Sequence, residues 1–159
     1  MKKIVIIGLT LTMICWLPTL SGAQSSPYDK YLTISDVQDA GKLTGVKIVP
    51  YNPSKGAGGN LNFALQDGTL VLIATFQTLQ PKDYEKMKTQ MKSSIKASVP
   101  GIGDEAFTGP PADPQYFIEF KKGTRLVSLS TFFNKANYGQ TFLNIDQLCA
   151  LAKVVAGRL

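Results

Sequence analysis

Four carboxylates between positions 104 and 119 are the side chains best able to perform acid–base chemistry. They are Asp104, Glu105, Asp113 and Glu119. Two carboxyl groups can divide acid and base work when their surroundings push their pKa values apart, as they do in glycosidases. A carboxylate-based hydrolase is therefore one hypothesis for the function of this chain.

The segment PGIGDEAF, residues 100–107, also has a structural interpretation. Its glycines can shape a tight turn, and Asp104 can accept hydrogen bonds from nearby backbone N–H groups. Phe107 can then anchor the next segment in the core. Because adjacent acidic side chains seldom point into one site, we expect a turn here, and we expect the protein not to be an enzyme.

The residues that most catalytic and metal sites require are missing. The chain has no histidine and only two cysteines. Histidine is the commonest general base and transition-metal ligand, so zinc sites, Ser-His-Asp triads and Cys-His dyads are excluded. Lys55 precedes the glycines of GAGG, whereas a phosphate-binding loop needs its lysine after them. We predict no cofactor and no metal site.

Three lysines spaced four residues apart lie in a predicted helix. They are Lys88, Lys92 and Lys96. Together they form a basic face that could contact anionic lipid or polysaccharide of the cell envelope. A solvated face is the alternative, with the apolar stripe of the helix packed in the core. That stripe consists of Tyr84, Met87, Met91 and Ile95.

The segment FFNKANYGQTF, residues 132–142, interleaves aromatic residues with amides. Such a mixture can stack on a sugar ring while the amides bind its hydroxyl groups. Tyr138 is one of the aromatic residues that could serve this purpose. The alternative is a long connection that its aromatic side chains hold against the core.

Hydrophobic periodicity and turn residues predict an alternation of helices and hairpins. In chain order the elements are helix 35–42, strand 46–49, loop 50–60, hairpin 61–78, helix 82–97, hairpin 116–132 and helix 145–156. Thr33 or Ser35 is the predicted first N-cap, Asn144 the last, and Gly157 the end of the last helix. We predict an α+β fold, an antiparallel sheet built from two β-hairpins and packed by about three helices on one face.

The first hairpin is predicted to turn at Asp67-Gly68 in a type I′ turn. The resulting cross-strand pairs are Leu65–Leu70, Phe63–Leu72 and Leu61–Ala74. The second hairpin, with its turn at Lys122-Gly123, resembles the first, through either an internal duplication or a chance similarity.

The opposite faces of the two hairpins are also apolar. Their residues are Val71, Ile73, Phe117, Leu126 and Phe132. If these faces are exposed, they form a patch that a ligand, a partner protein or a second copy of the chain would cover.

The segment Met1–Ala23 has the layout of a cleaved secretory signal peptide. Two lysines precede an apolar run, and Ser-Gly-Ala ends it. The apolar run is shorter than the roughly 20 residues that cross a bilayer. Bulky Ile14 stands before Cys15, which does not fit lipid attachment. We therefore expect a periplasmic or secreted protein, cleaved near Ala23.

Cleavage would leave a mobile lead-in at 24–32 and a single domain at 33–159. It would remove two lysines from a chain whose formal net charge is +6. Because the remaining chain is only mildly basic, no nucleic-acid partner is expected. It would also leave Cys149 without an intramolecular partner. Because Cys149 falls in the apolar stripe of the last helix, we expect a buried, unreactive thiol. The alternative is a reactive cysteine or one that pairs with another chain.

A resemblance to a family rests on three motifs: VPGIGDEAF at 99–107, the strand pair around Lys122-Gly123, and the closing helix LCALAKVVAGRL. Together they resemble the DUF3558-like group of exported bacterial lipoproteins, and residues 33–49 resemble that group's opening helix. The resemblance implies export and an α+β fold, and it carries over no catalytic residue. This sequence departs from the group in lacking the cysteine for lipid attachment.

The leading hypothesis is an exported, non-catalytic binding or interaction module. Its partner would be an unknown protein, a small ligand or a second copy of the chain. Its predicted ligand or partner surface consists of Val71, Ile73, Phe117, Leu126, Phe132 and Tyr138. The alternatives are contact of the lysine face with envelope polyanions and a carboxylate-based hydrolase.

Overall fold

The computed structural model describes residues 26–50, 58–90, 97–109, 115–137 and 139–159. Within these ranges the chain forms three helices, which are α1 (Ile34–Gly41), α2 (Pro81–Gln90) and α3 (Ile145–Arg158). The strands are β1 (Lys47–Val49), β2 (Gly58–Ala64), β3 (Leu70–Thr78), β4 (Ala97–Ser98), β5 (Glu105–Thr108), β6 (Gln115–Lys122) and β7 (Arg125–Phe132).

The strands described form one antiparallel sheet in the order β1-β2-β3-β7-β6-β5-β4. The two predicted hairpins, β2–β3 and β6–β7, lie at its centre and are joined by the pairing of β3 with β7. The α+β fold and the antiparallel sheet are therefore confirmed. The short outer strands β4 and β5 were not anticipated.

The two faces of the sheet differ in what covers them. The side covered by α1 and α3, which we call the core face, carries Ala74, Leu129 and Ile118 in register. Apolar residues of α3, such as Leu148 and Ala152, complete this core. Alternation along the strands directs the intervening residues to the opposite side, which we call the α2 face.

Helix α2 lies on the α2 face. Its Met87 borders a cavity with Glu119 and Ser128 of the sheet, and the ring of Tyr84 lies beneath Lys121. The helices are therefore divided between the two faces, whereas the sequence placed all three on one.

The segment before α1 is packed against the sheet. Tyr31 and Leu32 are buried, and the ring of Tyr28 stacks on Phe76 with 4.8 Å between centroids. These large apolar side chains complete the core face beside α3, which the predicted lead-in at 24–32 did not foresee; the mobility of that segment stays a prediction.

Helix α1 is held at its start by a capping box. The Thr33 hydroxyl accepts a hydrogen bond from the Asp36 N–H, and the Asp36 carboxylate accepts one from the Thr33 N–H. Thr33, not Ser35, is therefore the N-cap. The Arg158 guanidinium also donates two hydrogen bonds to Asp36, including Nη2 to Oδ1 at 2.9 Å. This ion pair joins the start of α1 to the end of α3.

The first hairpin turns differently from the prediction. Gly68 has a φ of +88°, whereas Asp67 has a negative φ, so the turn is not type I′. The predicted pairs Phe63–Leu72 and Leu61–Ala74 are confirmed, but a bulge after Phe63 places Ala64 opposite Leu70. The predicted Leu65–Leu70 pair is therefore wrong.

The second hairpin turns at Gly123 and Thr124, one residue later than predicted, because Lys122 pairs with Arg125. Gly123 has a φ of +59°, as the first central residue of a type II′ turn requires. The two turns thus differ in length. The helices that follow the hairpins also lie on opposite faces, so the two hairpin–helix units do not superimpose.

Several element boundaries also differ from the prediction. Strand β2 begins at Gly58, inside the predicted loop, and Ala97 belongs to β4 instead of the second helix. Helix α3 continues through Gly157 to Arg158, while its predicted N-cap, Asn144, is confirmed.

We expect Arg158→Ala to lower the free energy of unfolding at neutral pH by about 1 kcal/mol, because the ion pair is partly exposed. The Arg158 guanidinium lowers the pKa of Asp36 from 3.8 to about 2. The stabilisation is therefore present above pH 4 and is lost as the pH falls through about 2. Urea unfolding of both proteins between pH 7 and pH 2 measures this convergence.

The exposed Lys153 of the same helix supplies the matched control, since Lys153→Ala removes a charge that makes no ion pair with Asp36. A stability difference for Arg158→Ala that is unchanged at pH 2 would contradict the assignment.

Candidate functional site

A cavity of about 300 Å³ lies on the α2 face, between α2 and the centre of the sheet. Its walls are formed by Thr75, Gln77, Met87, Glu119, Leu126 and Ser128. This volume is at the lower end of the range typical of small-molecule sites. The lining combines a carboxyl, two hydroxyls and an amide with two apolar side chains.

Strand register brings three polar residues into one row across the sheet. Thr75 of β3 pairs with Ser128 of β7, and Ser128 pairs with Glu119 of β6. Neighbouring strands lie about 4.8 Å apart, so the three side chains line the same stretch of the α2 face. Ile118 and Phe120 are buried on the core face, which leaves Glu119 no direction except toward α2.

Glu119 is the most unusual ionisable group of the described chain. Only 6% of its surface is exposed, and no ion pair or hydrogen bond to its carboxyl is present among the described residues. Burial raises the pKa of Glu119 from 4.5 to about 7, because the charged form loses its hydration without gaining a counter-charge. Near neutral pH this carboxyl therefore populates both its protonated and its ionised form.

One further polar group on the α2 face is buried without a partner among the described residues, the amide oxygen Oδ1 of Asn62. The hydroxyl of Tyr84, which is 2% exposed, lies near the carboxylate of Glu105. Burial, together with the nearby Glu105, raises the pKa of the Tyr84 hydroxyl. Native proteins pair nearly all buried polar atoms, so an unpaired amide oxygen on the same face as the largely buried Glu119 indicates a surface suited to a polar occupant.

The four carboxylates proposed for a hydrolase do not converge on one cleft in the part of the chain described. Asp104 accepts a hydrogen bond from the Gly123 N–H at 2.7 Å and so holds the β6–β7 turn instead of its own loop. Glu105 is paired with Lys88, which lowers its pKa. Asp113 lies outside the described residues. Glu119 alone of the four lines the cavity.

Glu105 and Glu119 are diagonal neighbours on the α2 face, since Glu105 pairs with Lys121 and Phe107 pairs with Glu119. Their pKa values are shifted in opposite directions, as in an acid–base pair. However, the cavity reaches only Glu119. A substrate held there would therefore meet one carboxyl and not two.

The predicted lysine face is only partly described. Lys88 forms the ion pair with Glu105, which ties α2 to β5. Lys92 and Lys96 lie outside the described residues. The contact with envelope polyanions that these lysines suggested stays a prediction.

The residues proposed as an apolar ligand or partner surface are mostly covered. Val71 and Leu126 are buried, and Ile73, Phe117 and Phe132 are half-buried. Tyr138 lies outside the described residues. In the described ranges Val154 is the one large apolar residue that is exposed, so these ranges show no open apolar patch, and the partner or homodimer stays a prediction. Of this set, Leu126 alone lines the cavity.

Cys149 is half-buried, not buried as predicted, and it forms no disulfide with any described residue. Partial burial and the neighbouring Asp146 raise the pKa of its thiol, which makes the thiolate less available. No group of three potential metal ligands occurs within the described ranges.

Comparison with protein-family models, curated proteins and solved structures finds no match. The resemblance to the DUF3558-like group therefore stays a prediction. The segment Met1–Ala23 lies outside the described residues, and so does the predicted cleavage site. None of the described helices is long and apolar enough to cross a membrane.

Sequence reasoning missed Thr75, Gln77 and Ser128 as site residues. The signal for them is the alternation of polar and apolar residues along the strands. Thr75 and Gln77 lie on either side of apolar Phe76, and Ser128 follows apolar Val127. Polar residues on alternate positions of central strands indicate a face that is not packed like a core. What the alternation did not reveal is that β3, β7 and β6 would place these positions side by side.

Replacing Glu119 by glutamine keeps the side-chain shape and removes its ionisation. The folded-state pKa of about 7 exceeds the ordinary 4.5, so the stability of the wild type should fall as the pH rises through this window. The quantity to compare is the free energy of unfolding of Glu119→Gln minus that of the wild type. We expect this difference to be about 2 kcal/mol larger at pH 8 than at pH 4.5. Urea unfolding at both pH values measures this difference.

Glu105→Gln is the matched control, because the ion pair with Lys88 shifts the pKa of Glu105 downward. This variant should keep the wild-type loss of stability above pH 4.5. If Glu119→Gln kept that loss as well, Glu119 would not be the group responsible.

Proposed function

We propose that this protein is an exported, non-catalytic binding module that takes a small ligand bearing an ammonium group into the cavity beside Glu119. The observation that carries this proposal is a buried carboxyl that lines a cavity and has no counter-charge among the described residues. Export rests on the signal-peptide layout of Met1–Ala23.

The other side chains of the cavity suit the same ligand class. An ammonium group has three N–H donors, and the Thr75 and Ser128 hydroxyls and the Gln77 carbonyl are acceptors facing the same space. Met87 and Leu126 offer apolar contact for a short carbon chain attached to the nitrogen. A bound cation would stabilise the carboxylate form of Glu119 and so lower its pKa.

Binding accounts for the cavity better than catalysis does. Ser128 lies opposite Glu119, but no hydrogen bond joins its hydroxyl to that carboxyl among the described contacts. A serine nucleophile needs a base within hydrogen-bonding reach. The described lining has one carboxyl and no activated nucleophile, so its groups are suited to holding a cation and not to transforming it.

Hexylamine is a suitable probe, because it combines one ammonium group with an apolar chain that fits the cavity. We expect saturable binding in isothermal titration calorimetry, with an affinity at least about tenfold higher at pH 8 than at pH 5, since Glu119 loses its proton near pH 7. Hexan-1-ol should show no such pH dependence.

Glu119→Gln should abolish the pH dependence and weaken hexylamine binding at least about tenfold at pH 8. Glu105→Gln makes the same change of charge on the same face outside the cavity and should bind like the wild type. Equal affinities for the wild type and Glu119→Gln, or an absence of saturable binding, would refute the proposal.

A further inference from the structure

A second and larger cleft, of about 570 Å³, lies away from the α2 face. It is bounded by the loop after β7, by the end of α1 and by the start of α3. Its lining consists of Gly41, Leu43, Tyr116, Asn134, Asn137, Gly139, Gln140, Thr141, Phe142, Asn144 and Gln147. Tyr116 pairs with Thr131 on the core face, so this cleft is separate from the cavity at Glu119.

The lining of the cleft is rich in amides and has no charge. Five of its residues are asparagine or glutamine, and no acidic or basic residue is among the described lining. Each amide offers both a donor and an acceptor group. Tyr116 is half-buried in the lining and adds an aromatic ring with a hydroxyl. A charged ligand would find no counter-charge here.

Two of the amides are fixed in orientation by backbone contacts. Asn134 Oδ1 accepts a hydrogen bond from the Ala136 N–H, and Asn144 Oδ1 accepts one from the Gln147 N–H, both at 2.9 Å. These contacts occupy the oxygens and leave the Nδ2 groups as donors without a partner among the described residues. Donors held in place lose little freedom on binding, which favours affinity.

Hydrogen bonds hold the backbone around the cleft, both within the loop after β7 and between α3 and α1. The Asn134 N–H bonds the Gln140 carbonyl at 2.8 Å, so the loop closes on itself. Gln147 donates from Nε2 to the Ala40 carbonyl at 2.6 Å, which joins α3 to α1. Asn137 and Gln140 lie exposed on the loop, and their side chains make no hydrogen bond within the described part of the chain.

We propose that this cleft binds a neutral, polyhydroxylated ligand, a sugar, with the free amides of Asn137 and Gln140 as hydrogen-bonding groups and Tyr116 as the stacking surface. Sugar hydroxyls act as donor and acceptor at once, and amides are complementary to both roles. The apolar face of a pyranose ring matches an aromatic side chain. The absence of charge from the described lining separates this ligand class from the ammonium ligand of the other site.

The test is a ¹⁵N–¹H correlation NMR titration of the mature chain with maltotriose, cellotriose and chitotriose. We expect at least one of them to cause saturable shifts confined to the amides of residues 41–43, 115–117 and 134–147. The double variant Asn137→Ala/Gln140→Ala should weaken that binding at least about fivefold. Its remaining spectrum should be that of the wild type, which shows that the fold is intact.

Lys135→Ala is the matched control, because Lys135 is exposed on the same loop and does not line the cleft. It should bind like the wild type, as should Glu119→Gln, whose change lies in the other cavity. The proposal is overturned if none of the three sugars gives saturable shifts, if the shifts lie elsewhere, or if the double variant binds as tightly as the Lys135 control.

Discussion

The antiparallel pairing of β3 with β7 is the interaction on which the rest of the structure depends. It joins two hairpins that otherwise pair only with their own outer strands. The same register sets Thr75 beside Ser128 and, through β6, beside Glu119. A slip of β7 by one residue would exchange its two faces, so that Ser128 would enter the apolar core while Leu129 would fill the cavity.

The two faces that this register creates serve different purposes. The core face is closed by aliphatic side chains of α3 and carries much of the buried apolar surface. The α2 face holds hydroxyls, amides and an isolated carboxyl under a ten-residue helix. A buried acid without a counter-charge lowers stability, and such groups concentrate where a bound molecule supplies the missing interaction.

How far the sequence predicts this fold depends on the range of each interaction. The Asn144 cap and the inner pairs Phe63–Leu72 and Leu61–Ala74 follow from local patterns, and these predictions are confirmed. The bulge beside Ala64 arises because the hairpin has a three-residue turn instead of the predicted two-residue turn. The residues around Asp67-Gly68 are compatible with both turn lengths, so the local sequence does not decide between them.

The candidate site could be predicted less well, because it depends on contacts that are distant in the sequence. Glu119 was recognised as one of four acids, but its burial requires α2 to lie on the side of the sheet opposite α3. Thr75 and Ser128 meet only through β3–β7 pairing, which no local pattern specifies. The amide-rich loop was visible in the sequence, whereas its union with the ends of α1 and α3 into one cleft was not.

The ion pair between Asp36 and Arg158 also has a consequence for the folding of the chain. Its partners are 122 positions apart, so α1 gains this support only after α3 has been synthesised. Until then Leu32 and Val37 lack the apolar surface of α3 that covers them in the finished domain. Contacts of such high sequence separation make folding slower. The core face beside α1 should therefore be completed late, once α3 is available to cover it.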